Sequence, residues 1–290
     1  MWYRKSMVVK YFIRSFLCIA LGLAIFGGYL HLRSIQARAS NTTPVTIAGS
    51  SQVNAPDGPS ISNSTWRLTF DDEFSGPILD RSKWNIENKT LGEYHNCCLN
   101  YGGQYYTPQA LSFVNGSLRI TTQQQYKGAD AYTSGAITTE NIFSFLYGRV
   151  DIRAKLPKTQ GLWPAFWLLP NHTVQHGSFE IDMMEFRGDK PNIIHMTNHW
   201  GTHQTNRDYT GNFDYSQGYH VFTLIWNAST ITWYIDGVQR FQTSQGVSHQ
   251  NMYLIINSTI GGHWGGLPNA STVLPQNMDI DYVRVYKPTS

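Results

Sequence analysis

Three acids, Glu180, Asp182 and Glu185, fall within six residues in the run Gly177-Ser-Phe-Glu-Ile-Asp-Met-Met-Glu-Phe-Arg-Gly188. Phe179, Ile181, Met183, Met184 and Phe186 stand between and around them. A carboxylate among apolar side chains loses hydration, and close carboxylates resist joint ionisation. Such a set can hold one acid protonated beside another that is ionised. Glycoside hydrolysis needs that combination: one carboxylate attacks or stabilises the anomeric carbon while a carboxylic acid protonates the leaving oxygen. A solvated acidic strand face and a calcium site are the other readings that this spacing allows.

The spacing also constrains the backbone. Phe179 to Phe186 alternates as a strand, which puts Glu180 and Asp182 on one face. Glu185 lies five residues after Glu180, so in a regular strand it points the other way. One extra residue, a β-bulge at Met183 or Met184, returns it to the carboxylate face and sends the methionines to the core. Retention of configuration needs the two glutamate carboxyls roughly 5–5.5 Å apart. Positions four apart on a straight strand are about 13 Å apart at ~3.3 Å per residue. The side chains must therefore lean together, over a bulge and a concave sheet. Asp182, between them, is placed to hydrogen-bond Glu180 and help hold the two glutamates in different protonation states.

Other residues have chemistry of their own. Trp163 and Trp167 are four apart in Leu162-Trp-Pro-Ala-Phe-Trp-Leu-Leu169 and share a strand face. They read either as two core tryptophans or as a stacking platform beside the acids. Trp264 sits in Gly261-Gly-His-Trp-Gly-Gly266, where flanking glycines let backbone approach a ligand. His195, His199 and His203 recur every four residues, but neither His-Glu-x-x-His nor a carboxylate at ligand spacing accompanies them. Cys97 and Cys98 are adjacent and cannot staple distant segments, so we expect two free thiols and no thiol nucleophile.

The elements that must position these residues read as all-β. From Trp66 onward short alternating runs are separated by turn signals. Val150, Ile152, Ala154 and Leu156 alternate with Arg149, Asp151, Arg153 and Lys155, a half-buried strand with a solvent face. Ile231–Ile235 ends at Asp236-Gly237, a hairpin turn. No segment carries a long helical stripe. The pattern is an antiparallel β-sandwich.

The first 39 residues read as a secretory signal. Arg4, Lys5, Lys10 and Arg14 precede an apolar run from Phe16 to Leu30, and Ala37-Arg38-Ala39 gives a cleavage site. An uncleaved membrane anchor is the alternative, against which the run is short for a ~20-residue span. We expect a secreted, extracellular protein without stable membrane association once the leader is cut. Cys18 would leave with it. Residues 40–64 are rich in Ser, Thr, Asn, Pro and Gly and read as a linker. Residues 65–290 then remain as one domain carrying the three acids, which we expect to be the catalytic one. The leader holds six of the 22 basic residues and no acid, so 16 basic residues face 19 acidic ones in the remainder. That balance gives no nucleic-acid footprint. Few charges with many Trp and Tyr suit a neutral ligand, and we expect a monomer. Eight Asn-x-Ser/Thr sequons occur; Asn257 lies in an apolar strand and should be inaccessible.

Glu-Ile-Asp-Met-Met-Glu resembles the E-x-D-x-x-E signature of glycoside hydrolase family 16, in its bulged, laminarinase-like form. Other segments resemble that family in order. They are Phe70-Asp-Asp-Glu-Phe-Ser-Gly76, Tyr147-Gly-Arg-Val-Asp-Ile-Arg-Ala-Lys-Leu-Pro157, Gly161-Leu-Trp-Pro-Ala-Phe-Trp-Leu-Leu-Pro170, Asn198-His-Trp-Gly201, Trp233-Tyr-Ile-Asp-Gly237 and Asp281-Tyr-Val-Arg-Val-Tyr286. The resemblance spans about residues 65–288. It implies a concanavalin A-like jelly roll with a concave sugar cleft. It also implies Glu180 as nucleophile, Glu185 as acid/base and Asp182 as supporting acid. Substrate contacts fall to Trp163, Trp167, His199 and Trp264. No cofactor serves catalysis, and a structural calcium would take Glu73, the Gly116 carbonyl and Asp281. The activity implied is a retaining endo-β-glucanase cutting β-1,3 or β-1,3-1,4 linkages. Rivals are a galactan-directed hydrolase of the agar or carrageenan type, a non-catalytic glucan-recognition lectin and a zinc hydrolase.

Overall fold

Asp236-Gly237 and Asn115-Gly116 both take left-handed φ values, 50° and 75° for the first pair and 52° and 77° for the second. Two consecutive residues of that kind make the tight turn that matches strand twist, so each pair closes a hairpin. The computed structural model describes residues 65–89, 102–171 and 179–289, within the compact unit Gln52–Ser290. The expected leader, the linker 40–64 and Cys97–Cys98 lie outside the described residues.

The described strands form two sheets. The larger runs, in spatial order, β15 (Val238–Thr243), β14 (Ile231–Ile235), β13 (His220–Trp226), β8 (Gly148–Lys155), β17 (Gln276–Pro288), β5 (Ser117–Lys127), β6 (Asp130–Ser134) and β3 (Gln104–Tyr106). On it, β1 (Trp66–Asp72) also pairs with β17, and β4 (Leu111–Val114) with β5. The smaller runs β12 (His203–Thr210), β11 (Ile193–Trp200), β10 (Glu180–Phe186), β9 (Leu162–Pro170), β16 (Met252–Ile260), β7 (Ala136–Thr138) and β2 (Asn85–Ile86). Among these pairings only β3 with β6 is parallel. The antiparallel sandwich expected from the sequence is what forms.

The core lies between the sheets. Phe166, Leu168, Ile181, Met184, Phe186 and Met196 from the smaller sheet meet Ile152, Phe222, Leu224, Trp233 and Val283 from the larger, all buried. Each such side chain contributes about 1.5–3 kcal/mol by leaving water. This packing fixes which face of β9, β10 and β11 turns away from the core.

One expectation fails on β8. Arg149 and Asp151, read as solvent-facing, are 3% and 4% exposed. β8 lies between β13 and β17, so Asp151 has Thr223 on one side and Arg284 on the other. Arg149 Nη2 lies 2.6 Å from Asp151 Oδ2, and Thr223 Oγ1 donates to Asp151 Oδ1 at 2.6 Å. Burial pushes the Asp151 pKa up, and the arginine only partly opposes it.

Candidate active site

The expected bulge is present in β10. Against β11, Asp182 pairs with Thr197 and Glu185 with His195, so three steps on β10 match two on its partner. Against β9, Asp182 pairs with Trp167 and Met184 with Phe166, so the extra residue is Met183. Met183 and Met184 are both buried, while Glu180 and Glu185 stay partly exposed on the face turned from the core. The Asp182 carbonyl, at the start of the bulge, accepts a 2.9 Å hydrogen bond from the Trp233 indole N–H of the opposite sheet. A buried carbonyl needs such a donor.

Each acid has a different setting. Burial pushes the Glu185 pKa well above the ordinary carboxylate range. The nearby Asp182 charge adds to this, the Trp163 hydrogen bond opposes it, and Asp208 raises it further. Glu185 Oε1 accepts from Trp163 Nε1 at 3.0 Å. Asp182 is buried, and its Oδ2 lies 3.0 Å from His199 Nε2. A carboxylate only accepts, so His199 Nε2 carries the hydrogen there. Glu180 Oε1 lies 3.9 Å from the same nitrogen. The site therefore separates a carboxyl whose pKa burial pushes up from one that is more open.

The tryptophans line the same face as the acids and are not part of the core between the sheets. Trp163 and Trp167 are half-buried, with Trp167 directly beside Asp182 in register. The Trp264 ring lies 5.0 Å from Trp163 and 4.8 Å from His195, so it closes over the Glu185 end. Trp167 Nε1 donates to Asn257 Oδ1 at 2.7 Å. Asn257 Nδ2 donates in turn to Tyr106 Oη and Thr259 Oγ1, each at 3.0 Å. Asn257 is buried, as its apolar strand implied. Burial pushes the Tyr106 hydroxyl up to about 12, so this floor stays neutral.

Several residues of the site were not singled out from sequence. His195, noted in the sequence only as part of the histidine repeat, lies opposite Glu185. Its Nδ1 is 2.7 Å from Asp208 Oδ1, and its buried Nε2 has no hydrogen-bond partner. Strand parity carried a signal, since residues four apart share a face and His199 was already placed in the cleft. Asn257 had a signal too, as a polar residue in an apolar run. Nothing in the sequence pointed to the Trp233 bond.

The metal readings fare differently. His203 pairs with Trp200, off the acid face, so the four-residue histidine repeat does not converge. Among the described residues the one group close enough to share an ion is Glu180, Asp182 and His199, with ligand atoms within 4.8 Å of one another. That is the acid cluster itself. At the expected calcium position, both Glu73 oxygens accept from Arg284, at 2.7 and 2.9 Å. Asp281 Oδ2 accepts from Arg153 at 2.6 Å, and Gly116 sits in the β4–β5 turn. Guanidinium groups already neutralise these carboxylates, so the arrangement does not fit a resident calcium.

A two-sheet sandwich with one acid pushed up by burial beside a more open one, on a face lined with tryptophans, defines a carbohydrate-processing architecture. The chain belongs to glycosyl hydrolases family 16, whose sequence pattern matches residues 101–284. A glucan endo-1,3-beta-glucosidase A1 of Niallia circulans is 35% identical over 272 residues, 81% of this chain. The chain spans only 39% of that relative's length. A beta-glucanase of Rhodothermus marinus is 31% identical over 77% of this chain and 85% of its own. The solved endo-beta-1,3-glucanase of Pyrococcus furiosus superposes with a TM-score of 0.74 at 34% identity, covering 81% of this chain and 99% of its own.

Proposed function

We propose that this chain is a secreted, retaining endo-β-glucanase that hydrolyses β-1,3 or β-1,3-1,4 linkages of a neutral glucan. The observation that carries the reading is the Met183 bulge, which brings Glu185 onto the face of Glu180 and Asp182. In the first step the Glu180 carboxylate attacks the anomeric carbon. The bond to the leaving oxygen breaks, and that oxygen takes the Glu185 proton. In the second step ionised Glu185 removes a proton from water, the hydroxide adds to the anomeric carbon, and the ester to Glu180 is released. Asp182 raises the Glu185 pKa and keeps His199 in place beside Glu180. The carboxylates supply both nucleophile and proton, so the reaction needs no cofactor. Relatives described as endo-1,3-beta-glucanases support the linkage.

Azide tests the assignment. In Glu180→Gly it should restore activity and give a glycosyl azide of inverted configuration. In Glu185→Ala the azide product should keep its configuration. The opposite pattern would exchange the two roles. Glu180→Gln or Glu185→Gln with full activity on laminarin would remove the catalytic reading. Cleavage of agarose or carrageenan in place of laminarin would move the substrate to galactans.

A further inference from the structure

The segment 261–275 carries Trp264 in its first half, and its second half, from Pro268 to Pro275, lines a recess together with Gln123, Gln124 and Tyr132. That recess has a volume of about 520 Å³, within the roughly 300–1,000 Å³ usual for small-molecule sites. Its lining includes three side-chain amides (Gln123, Gln124 and Asn269), the Thr272 hydroxyl and the Tyr132 ring, with two prolines and a leucine completing the wall. None of the three acids is among them, and neither is Trp163 or His199.

The chemistry of this lining selects a ligand class. No Asp, Glu, Lys or Arg lines the recess, and none occurs from Gly261 to Met278. Phosphate, sulfate and carboxylate ligands call for cationic donors that are missing here. Amides and hydroxyls each donate and accept, as sugar hydroxyls do. The Tyr132 ring and the prolines offer the apolar surface that sugar C–H faces cover. Leu267 and Val273, on the same segment, are 72% and 64% exposed.

The wall is also built in advance. Gln160 Nε2 donates to the Leu267 carbonyl at 2.9 Å, and Thr272 Oγ1 donates to the Gln160 carbonyl at 2.9 Å. The Val273 N–H donates to Thr159 Oγ1 at 2.8 Å. Asn269 Oδ1 accepts from both the backbone and the hydroxyl of Ser271. Binding to a preformed wall spends little on ordering it.

We propose that this recess is a second carbohydrate site, holding a neutral glucan segment outside the catalytic cleft. The proposal rests on the neutral-glucan reading above. A polymer long enough to occupy both sites would gain apparent affinity from its own tether, while a short oligosaccharide in the cleft would not.

Calorimetry on the Glu180→Gln protein with laminarihexaose tests it. Two equivalents should bind, and Gln124→Ala or Tyr132→Ala in that background should leave one. Retention on insoluble β-1,3-glucan should fall by about tenfold in the Tyr132 variant, the scale of one lost ring-stacking contact. With Glu180 intact, kcat/KM of the Gln124 variant on laminaritetraose should stay within about twofold, as for a distant independent site. One equivalent in the parent, or two in both variants, overturns the proposal. Hydrolysis of laminarin by the unmodified chain is read separately. If that fails, the glucan reading falls whatever the stoichiometry shows.

Discussion

At the residue scale, the acid role proposed for Glu185 ties activity and stability to a single protonation. Its raised pKa follows from burial first and the Asp182 charge second. The basic limb of kcat/KM reports the free enzyme's essential acid, so that limb should lie above the ordinary carboxylate range. Asp182→Asn removes one raising charge and should move the limb to lower pH. An unmoved limb would mean that Asp182 does not act on Glu185. The same shift sets a stability trend. An unfolded glutamate titrates near ~4.3, so between that pH and the raised value the folded state binds more protons. Stability then falls as pH rises through this window. Chemical denaturation of Glu185→Gln should show a gain over the parent that grows with pH and levels off above the raised pKa. A constant difference from pH 4 to 9 would contradict the burial account.

At the element scale, the bulge is the feature that the sequence stated most clearly. The step of five from Glu180 to Glu185 is odd, and a strand has period 2, so one face for all three acids demanded an insertion. What holds the insertion was not legible, because Trp233 reaches Asp182 across the sandwich from a strand 51 residues away. Trp233→Phe keeps most of the packing and removes the N–H. It leaves a buried carbonyl unpaired, at a cost of about 1–3 kcal/mol. Activity should fall further than this destabilisation explains, measured at a temperature where the variant is fully folded. Unchanged kcat and Tm would show that packing alone fixes the bulge. The β8 strand teaches the opposite lesson. Its alternation marked the core face correctly, but a charged residue on the other face says nothing about what its neighbours cover. Arg149 and Asp151 are hidden by the strands beside them. Asp151→Ala would remove the carboxylate beside the buried Arg149 guanidinium and should cost about 3–5 kcal/mol by denaturant titration. A loss under ~1 kcal/mol would mark the pair as a surface bridge in effect.

At the scale of the whole molecule, the two-sheet architecture was readable from turn spacing and alternation, but strand order was not. Sequence neighbours such as β8 and β9 end in different sheets, and that partition depends on packing between distant segments. The low charge of the chain was readable, and it carries a prediction. A neutral glucan held by Trp163, Trp167 and Trp264 should bind Glu180→Gln with nearly the same affinity at low salt and at 1 M. Screening there acts within about 3 Å and touches charges, not ring stacking. A steep loss of affinity with salt would point to an anionic polymer. The order of the strands also has a consequence in time. The 13-residue β17 pairs with β1, β5 and β8, so the middle of the larger sheet is the last part of the domain to be synthesised. Until residues 276–288 are made, β8 lacks its β17 neighbour and the core lacks Met278, Ile280, Val283 and Val285. The nascent domain must wait with part of its core open, and such exposed apolar surface favours aggregation. Ending translation after Pro275 should yield chains that stay protease-sensitive and aggregate, and adding the missing strand as a separate peptide should restore protection. A soluble, protease-resistant truncation would show that the sandwich closes without its last strand.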